Sequence, residues 1–75
     1  MNTAQIKASI KAKMTAVAAS EAAADFARVS DLLKRAKTSS ERKALRQSLA
    51  TAETRVASTA ADARCAAAVL ATFAD

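Results

Sequence analysis

The sequence predicts an all-α protein: an antiparallel helical hairpin of two long helices, dimerising into a four-helix bundle. Three observations lead to this fold. The 75 residues contain no Gly and no Pro, and alanine and other good helix formers dominate the composition. Apolar residues recur at steps of three and four instead of alternating as they do in a strand. One polar segment, residues 37–40, interrupts this pattern near the middle. Residues 1–75 are therefore expected to form one helical-hairpin domain.

The first helix is predicted over residues 3–36, and its apolar residues follow two heptad registers. The first register comprises Ile10, Met14 and Val17. The second comprises Ala22, Phe26, Val29, Leu33 and Ala36. A change of register locally unwinds a supercoil, so we expect this helix to run nearly straight around residues 18–24.

A capping motif predicts the turn at residues 37–40. Thr38 and Glu41 have the spacing of a capping box, in which the first residue caps the helix and the second bonds back to it. Cations just before the turn suit the negative end of the first helix. The missing Gly leaves two alternatives open, because helices commonly end on a left-handed Gly. They are one uninterrupted helix, and three helices with a further break at Ser58–Thr59.

The second helix is predicted over residues 41–73 and carries a coiled-coil seam. Its a positions are Leu49, Val56, Ala63 and Leu70, and its d positions are Leu45, Ala52, Thr59, Ala66 and Phe73. All are apolar except Thr59, and such a repeat favours helix pairing.

Folding the chain about residues 38–39 sets large side chains against small ones. Phe26 comes opposite Ala52, and Met14 opposite Ala63. The predicted core of the hairpin and of its dimer is Ile10, Met14, Val17, Phe26, Val29, Leu33, Leu45, Leu49, Val56, Leu70 and Phe73. A chain this short buries too little surface to be very stable alone, so we expect a homodimer, with its two hairpins either parallel or antiparallel.

The composition argues against enzyme chemistry. Without His there is no imidazole base, and without Gly there is no phosphate-binding loop, so we expect no catalytic residue, no cofactor and no metal site.

Glu21 and Asp25 are interpreted as a solvated acidic patch, with a divalent-cation site as the alternative. The spacing of Asp25–Arg28 and Asp31–Arg35 predicts ion pairs within the first helix. Cys65 is interpreted as a small apolar residue beside the seam, with an intermolecular disulfide as the alternative.

Positive charge is concentrated around the turn. Six of the thirteen residues from 34 to 46 are cationic and one is acidic, so this segment alone carries +5, equal to the net charge of the whole chain. The candidate partner-binding residues are Lys34, Arg35, Lys37, Arg42, Lys43 and Arg46. A cluster of this kind suits an acidic protein surface or a phosphate backbone, and it also keeps a turn soluble.

These features predict a non-enzymatic helical module that binds and regulates another protein, as an adaptor or inhibitor, through the basic turn or an alanine-rich face. The alternative is an RNA- or DNA-binding regulator directed at the phosphate backbone. That alternative is analogous in architecture to the plasmid copy-control protein ROP, a bundle of two hairpins, although no motif is shared. We expect no membrane span and no export signal, and the free cysteine favours the cytoplasm.

Overall fold

The protein is an all-α hairpin of two helices that pack against each other along their length. The computed structural model describes residues 2–73; Met1, Ala74 and Asp75 of the predicted domain lie outside them. Helix α1 spans Thr3–Arg35 and α2 spans Ser39–Ala71, each of 33 residues. No strand is present in the described part of the chain, which measures 56 × 16 × 13 Å. Over the same residues, neither helix has an apolar stretch that would let it traverse a lipid bilayer.

The chain leaves α1 without a left-handed residue, which explains why no Gly is needed at the turn. Ala36 follows the helix with φ −64° and ψ 132°, an extended conformation that any residue adopts. No residue with positive φ occurs between positions 2 and 73. The turn consists of residues 36–38, so α2 begins directly after its predicted cap Thr38 and two residues earlier than the predicted bound of residue 41. One continuous helix is therefore excluded.

Helix α2 runs unbroken through Ser58–Thr59, which excludes the three-helix alternative. The hydroxyl of Thr59 donates to the carbonyl of Arg55 at 2.7 Å, one turn earlier. Thr51 and Thr54 make the same kind of bond to their own helix. These hydroxyls are thereby satisfied locally, in the manner of Ser and Thr side chains within helices, without disrupting the backbone ladder.

The seam of α2 lies where its heptads place it. All nine predicted a and d positions are buried or half-buried, from Leu45 at the turn to Phe73 at the open end. Ala52 and Ala66 are the most buried of them. The larger seam residues, among them Leu49, Val56 and Leu70, are half-buried because only one neighbouring helix covers them.

Helix α1 keeps one register from end to end, so the expected change of register is wrong for the hairpin. Its seam continues the second predicted register toward the N-terminus through small and polar residues. The buried or half-buried seam positions are Gln5, Ala8, Ala12, Thr15, Ala19, Ala22, Phe26, Val29, Leu33 and Ala36. These positions repeat every seven residues without interruption, which is the pattern of a continuous helix-pairing face.

Ile10, Met14 and Val17 therefore lie outside the hairpin core, contrary to expectation. They are 53%, 67% and 57% exposed, respectively. Alanine fills inward positions beside them, so these large side chains of α1 do not pack against the alanines of α2 as was expected. Ala8 and Ala22 on α1 are buried, as are Ala52 and Ala66 on α2. Small side chains permit a close approach of the two helix backbones.

The resulting core is thin. Within the described residues, no large side chain is fully buried, and the four alanines are the only residues classed as buried. The chain exposes 5580 Å², whereas a compact monomer of 7.7 kDa exposes roughly 4,300 Å². A single hairpin thus leaves roughly 1,200 Å² more surface in water than a compact fold of its size.

We predict that Ala22→Leu destabilises the hairpin by about 1–3 kcal/mol, because Ala22 is only 1% exposed and a larger side chain would push the helices apart. The matched control is Ala23→Leu, which adds the same atoms at an exposed position and should change the free energy of unfolding by about 0.5 kcal/mol or less. Urea denaturation followed by circular dichroism measures both. Equal stability of the two variants would contradict the assignment of the seam.

Candidate functional site at the hairpin tip

The candidate site is the closed end of the hairpin, residues 34–46, which we call the tip. It is built from the last turn of α1, the connection 36–38 and the first two turns of α2. All six predicted partner-binding residues lie here and all are exposed: Lys34, Arg35, Lys37, Arg42, Lys43 and Arg46. The fold thus brings cations from two helices together at one end of a 56 Å rod.

A helix cap fixes the shape of the tip. Thr38 accepts the backbone N–H of Glu41 at 3.1 Å through its hydroxyl, as the capping box predicts. The Glu41 carboxylate reaches back to the backbone N–H of Lys37 at 3.3 Å, one residue before the cap itself. The Glu41 carboxylate is therefore held at the positive N-terminal end of α2, and its negative charge lies at the start of that helix.

Most of the tip cations have no ion-pair partner among residues 2–73. Arg35 pairs with Asp31 at 3.2 Å, as its spacing predicted. Within residues 2–73, none of the other five tip cations lies within ion-pair distance of a carboxylate. The tip therefore presents a positive surface that the rest of the hairpin does not neutralise, and such a field attracts acidic partners.

A second charged cluster ties the two helices together near mid-length. Asp25 accepts from Arg28 on α1, the other predicted intrahelical pair, and lies 3.9 Å from Arg55 on α2. Sequence analysis missed Arg55. The hairpin register could have found it, because that register sets Phe26, the neighbour of Asp25, opposite Ala52, one helical turn before Arg55. This cluster is a contact between the two helices. It consists of one carboxylate and two guanidinium groups and contains no nucleophile.

A groove near the open end contains the cysteine. Its volume is about 370 Å³, and it is lined by Ala8, Lys11, Thr15, Asp62, Cys65, Ala66 and Val69. Cys65 is exposed in this groove and precedes the seam residue Ala66, which is a position beside the seam. Over residues 2–73, no three side chains of the His, Cys, Asp or Glu type come close enough together to hold a metal ion. Glu21 is exposed, whereas Asp25 is half-buried beside Arg28 and Arg55.

The fold and the tip define a small helical hairpin with one strongly basic end. No family model matches the sequence, and comparison with curated proteins and with solved structures found no match. What the hairpin binds must therefore be inferred from the charges, exposure and geometry of its own residues.

We predict that Thr38→Ala lowers the free energy of unfolding by about 1 kcal/mol, because the N–H of Glu41 loses its acceptor. Ser40→Ala is the matched control: it removes a hydroxyl from the second residue of the same helix, at an exposed position that is not the N-cap. Thermal unfolding followed by circular dichroism compares the two variants. A loss in Ser40→Ala as large as in Thr38→Ala would show that the cap does not stabilise the tip.

Proposed function

We propose that this protein is a non-enzymatic interaction module that binds and regulates another protein by docking its basic tip on an acidic surface. The observation that carries the proposal is the set of five tip cations without an ion-pair partner in the described chain. Holding so many like charges together opposes compactness. Their concentration at one end is explained when a partner supplies the missing negative charge.

The composition of the tip favours a protein partner over nucleic acid. Base recognition uses Asn, Gln or bidentate Arg in a groove, and single-stranded binding uses aromatic side chains that stack on bases. Residues 34–46 contain no aromatic residue, no Asn and no Gln. Lys and Arg on a narrow rigid end, 16 × 13 Å across, suit a small cluster of carboxylates. Charge complementarity of this kind mainly sets the rate and specificity of association.

We propose further that two hairpins associate as a homodimeric four-helix bundle. The support is the thin alanine core together with the surplus of roughly 1,200 Å² of exposed surface. A stable interface takes about 800 Å² from each partner, so the surplus is large enough for one. Bundles of two hairpins bury helix faces that a lone hairpin cannot cover. A reducing compartment such as the cytoplasm suits the free Cys65.

We predict that Arg42→Ala, Lys43→Ala and Arg46→Ala together abolish binding of the protein to poly-L-glutamate, the probe for an acidic surface. The variant loses three of the unpaired tip charges while both helices and the Thr38 cap remain. Fluorescence anisotropy at about 50 and 200 mM salt measures the affinity, which should fall with salt because the interaction is electrostatic.

The matched control removes the same number of charges elsewhere, with Lys11, Lys13 and Arg64 each changed to Ala. All three are exposed and lie outside the tip, so this variant has the same net charge and should keep most of the affinity. Equal losses in the two variants would show that net charge alone drives binding. Tighter binding of mixed-sequence RNA or duplex DNA than of polyglutamate would replace the acidic protein with nucleic acid.

We predict that sedimentation equilibrium finds a dimer that loses helical structure when it dissociates on dilution, because the free hairpin lacks a sufficient core. The melting temperature should then rise with protein concentration. A folded monomer whose melting temperature does not depend on concentration would overturn the proposed dimer and leave the tip proposal to the binding assay.

A further inference from the structure

The bulky apolar residues in the first half of α1 share one face of that helix. They are Ile6, Ile10, Met14 and Val17, which we call the outer stripe; their exposed fractions range from 45% to 67%. Steps of four, four and three keep them on one side of a helix. With the seam residues at positions a and d of the seven-residue repeat, these four residues occupy the outward positions b, c and f. The outer stripe therefore points away from α2.

This face is more apolar than a solvated helix surface requires. Alanine occupies the inward positions at the same level, for example Ala8 and Ala12, while isoleucine, methionine and valine face water. A contiguous apolar patch of a few hundred Å² on a small protein typically marks an interaction surface. Glu21 and Arg28 end the patch on the side of the tip, so it occupies the half of α1 near the open end.

The charges beside the outer stripe are arranged as a two-fold symmetric contact requires. Lys7, Met14 and Glu21 are spaced by seven residues and so form one row along α1. In a two-fold symmetric dimer each contact occurs twice. If one residue of the first protomer contacts a different residue of the second, the same two residues are also in contact with the protomers exchanged. If two α1 helices run antiparallel and cross at Met14, Lys7 of each protomer lies opposite Glu21 of the other. A parallel pair would instead set Lys7, Lys11 and Lys13 beside their own copies.

We infer that the outer stripe binds a second copy of this chain, with the two α1 helices antiparallel and the two-fold axis passing near Met14. This inference rests on the proposed dimerisation and specifies its interface as a contact between the two α1 helices, with the two α2 helices on the outer sides of the four-helix assembly and not around one shared core. Ile6, Ile10 and Val17 pack around the axis, and the Lys7–Glu21 pairs close both ends of the contact. A second copy of the chain fits because the apolar patch and the row of Lys7, Met14 and Glu21 lie on one self-complementary surface. The exposed area in excess of a compact monomer is also large enough for an interface.

The antiparallel arrangement places the two tips at opposite ends of the dimer. Met14 and Lys37 are separated by 23 residues along the hairpin, and a helix rises 1.5 Å per residue. The two tips therefore lie about 70 Å apart, and the two 56 Å rods overlap from their open ends over about 40 Å. A rod with a basic end on each side binds two acidic partners at once and gains affinity when both sites lie on one target.

A charge swap tests the interface. Lys7→Glu alone and Glu21→Lys alone each set like charges opposite each other twice in the dimer, and each should weaken dimerisation by about tenfold. The double variant Lys7→Glu with Glu21→Lys restores opposite charges and should recover most of the affinity. Both positions are exposed, and circular dichroism checks that the helices are intact. Sedimentation equilibrium measures the dissociation constants.

The distance between tips tests the orientation independently. Spin labels are attached at Lys37→Cys in a Cys65→Ala background, and double electron–electron resonance measures their separation in the dimer. The antiparallel arrangement predicts about 70 Å. A parallel dimer would bring the labels within about two hairpin widths, each 16 Å.

These measurements separate this inference from the proposed function. A dimer whose double variant stays as weak as the single variants, or whose tips lie close together, overturns the antiparallel α1 interface and leaves dimerisation standing. A wild-type protein that remains monomeric at every concentration overturns the proposed dimer itself, and this interface with it. Loss of polyglutamate binding tests neither the dimer nor its α1 interface, because the tip and the outer stripe lie on separate parts of the hairpin.

Discussion

The close contact of the two helices over buried alanines is the constraint on which the rest of the hairpin depends. Ala8 and Ala22 on α1, with Ala52 and Ala66 on α2, are the residues that the fold buries most completely. Small side chains at these positions bring the helices close, and the larger seam residues, such as Phe26 and Leu49, are only half-buried. Because the seam is already filled, Ile10, Met14 and Val17 must lie on the far side of α1. The same contact therefore explains both the thin core and the exposed apolar face.

Local signals in the sequence predicted most of the fold, and a signal based on side-chain size failed. Thr38 and Glu41 mark the turn because capping depends on neighbouring residues, and the heptads of α2 are regular enough to define its seam. In α1 the bulky residues were assigned inward, as hydrophobicity alone suggests. Alanine occurs on the buried and on the exposed side of a helix, so the hydrophobicity of Ala12 and Ala19 did not distinguish the seam of α1 from its outer face. The exposed position of the tip cations was predictable because the turn between two antiparallel helices must lie at one end of the hairpin. Prediction of the cross-helix pair of Asp25 with Arg55 required the register of the two helices.

The two ends of the hairpin have different physical characters. At the closed end, Lys43 and its cationic neighbours are exposed on well-capped backbone, so charge is presented by a rigid element. At the open end, apolar side chains are exposed while alanines hold the helices together. Electrostatic attraction acts over roughly 8–10 Å in physiological salt, whereas apolar contacts act only when surfaces touch. The closed end is thus suited to capturing a partner and the open end to lasting assembly.

The small size of the buried residues also affects how the fold responds to temperature. Exposure of apolar surface on unfolding produces the positive heat-capacity change that curves a protein's stability with temperature. A hairpin whose fully buried residues are alanines and whose larger seam residues are only half-buried exposes less such surface than a compact fold when its helices separate. Its stability curve is therefore shallow, with neither a steep thermal transition nor a pronounced loss of stability in the cold. Any sharp, strongly curved unfolding transition of this protein would have to come from surface buried between chains.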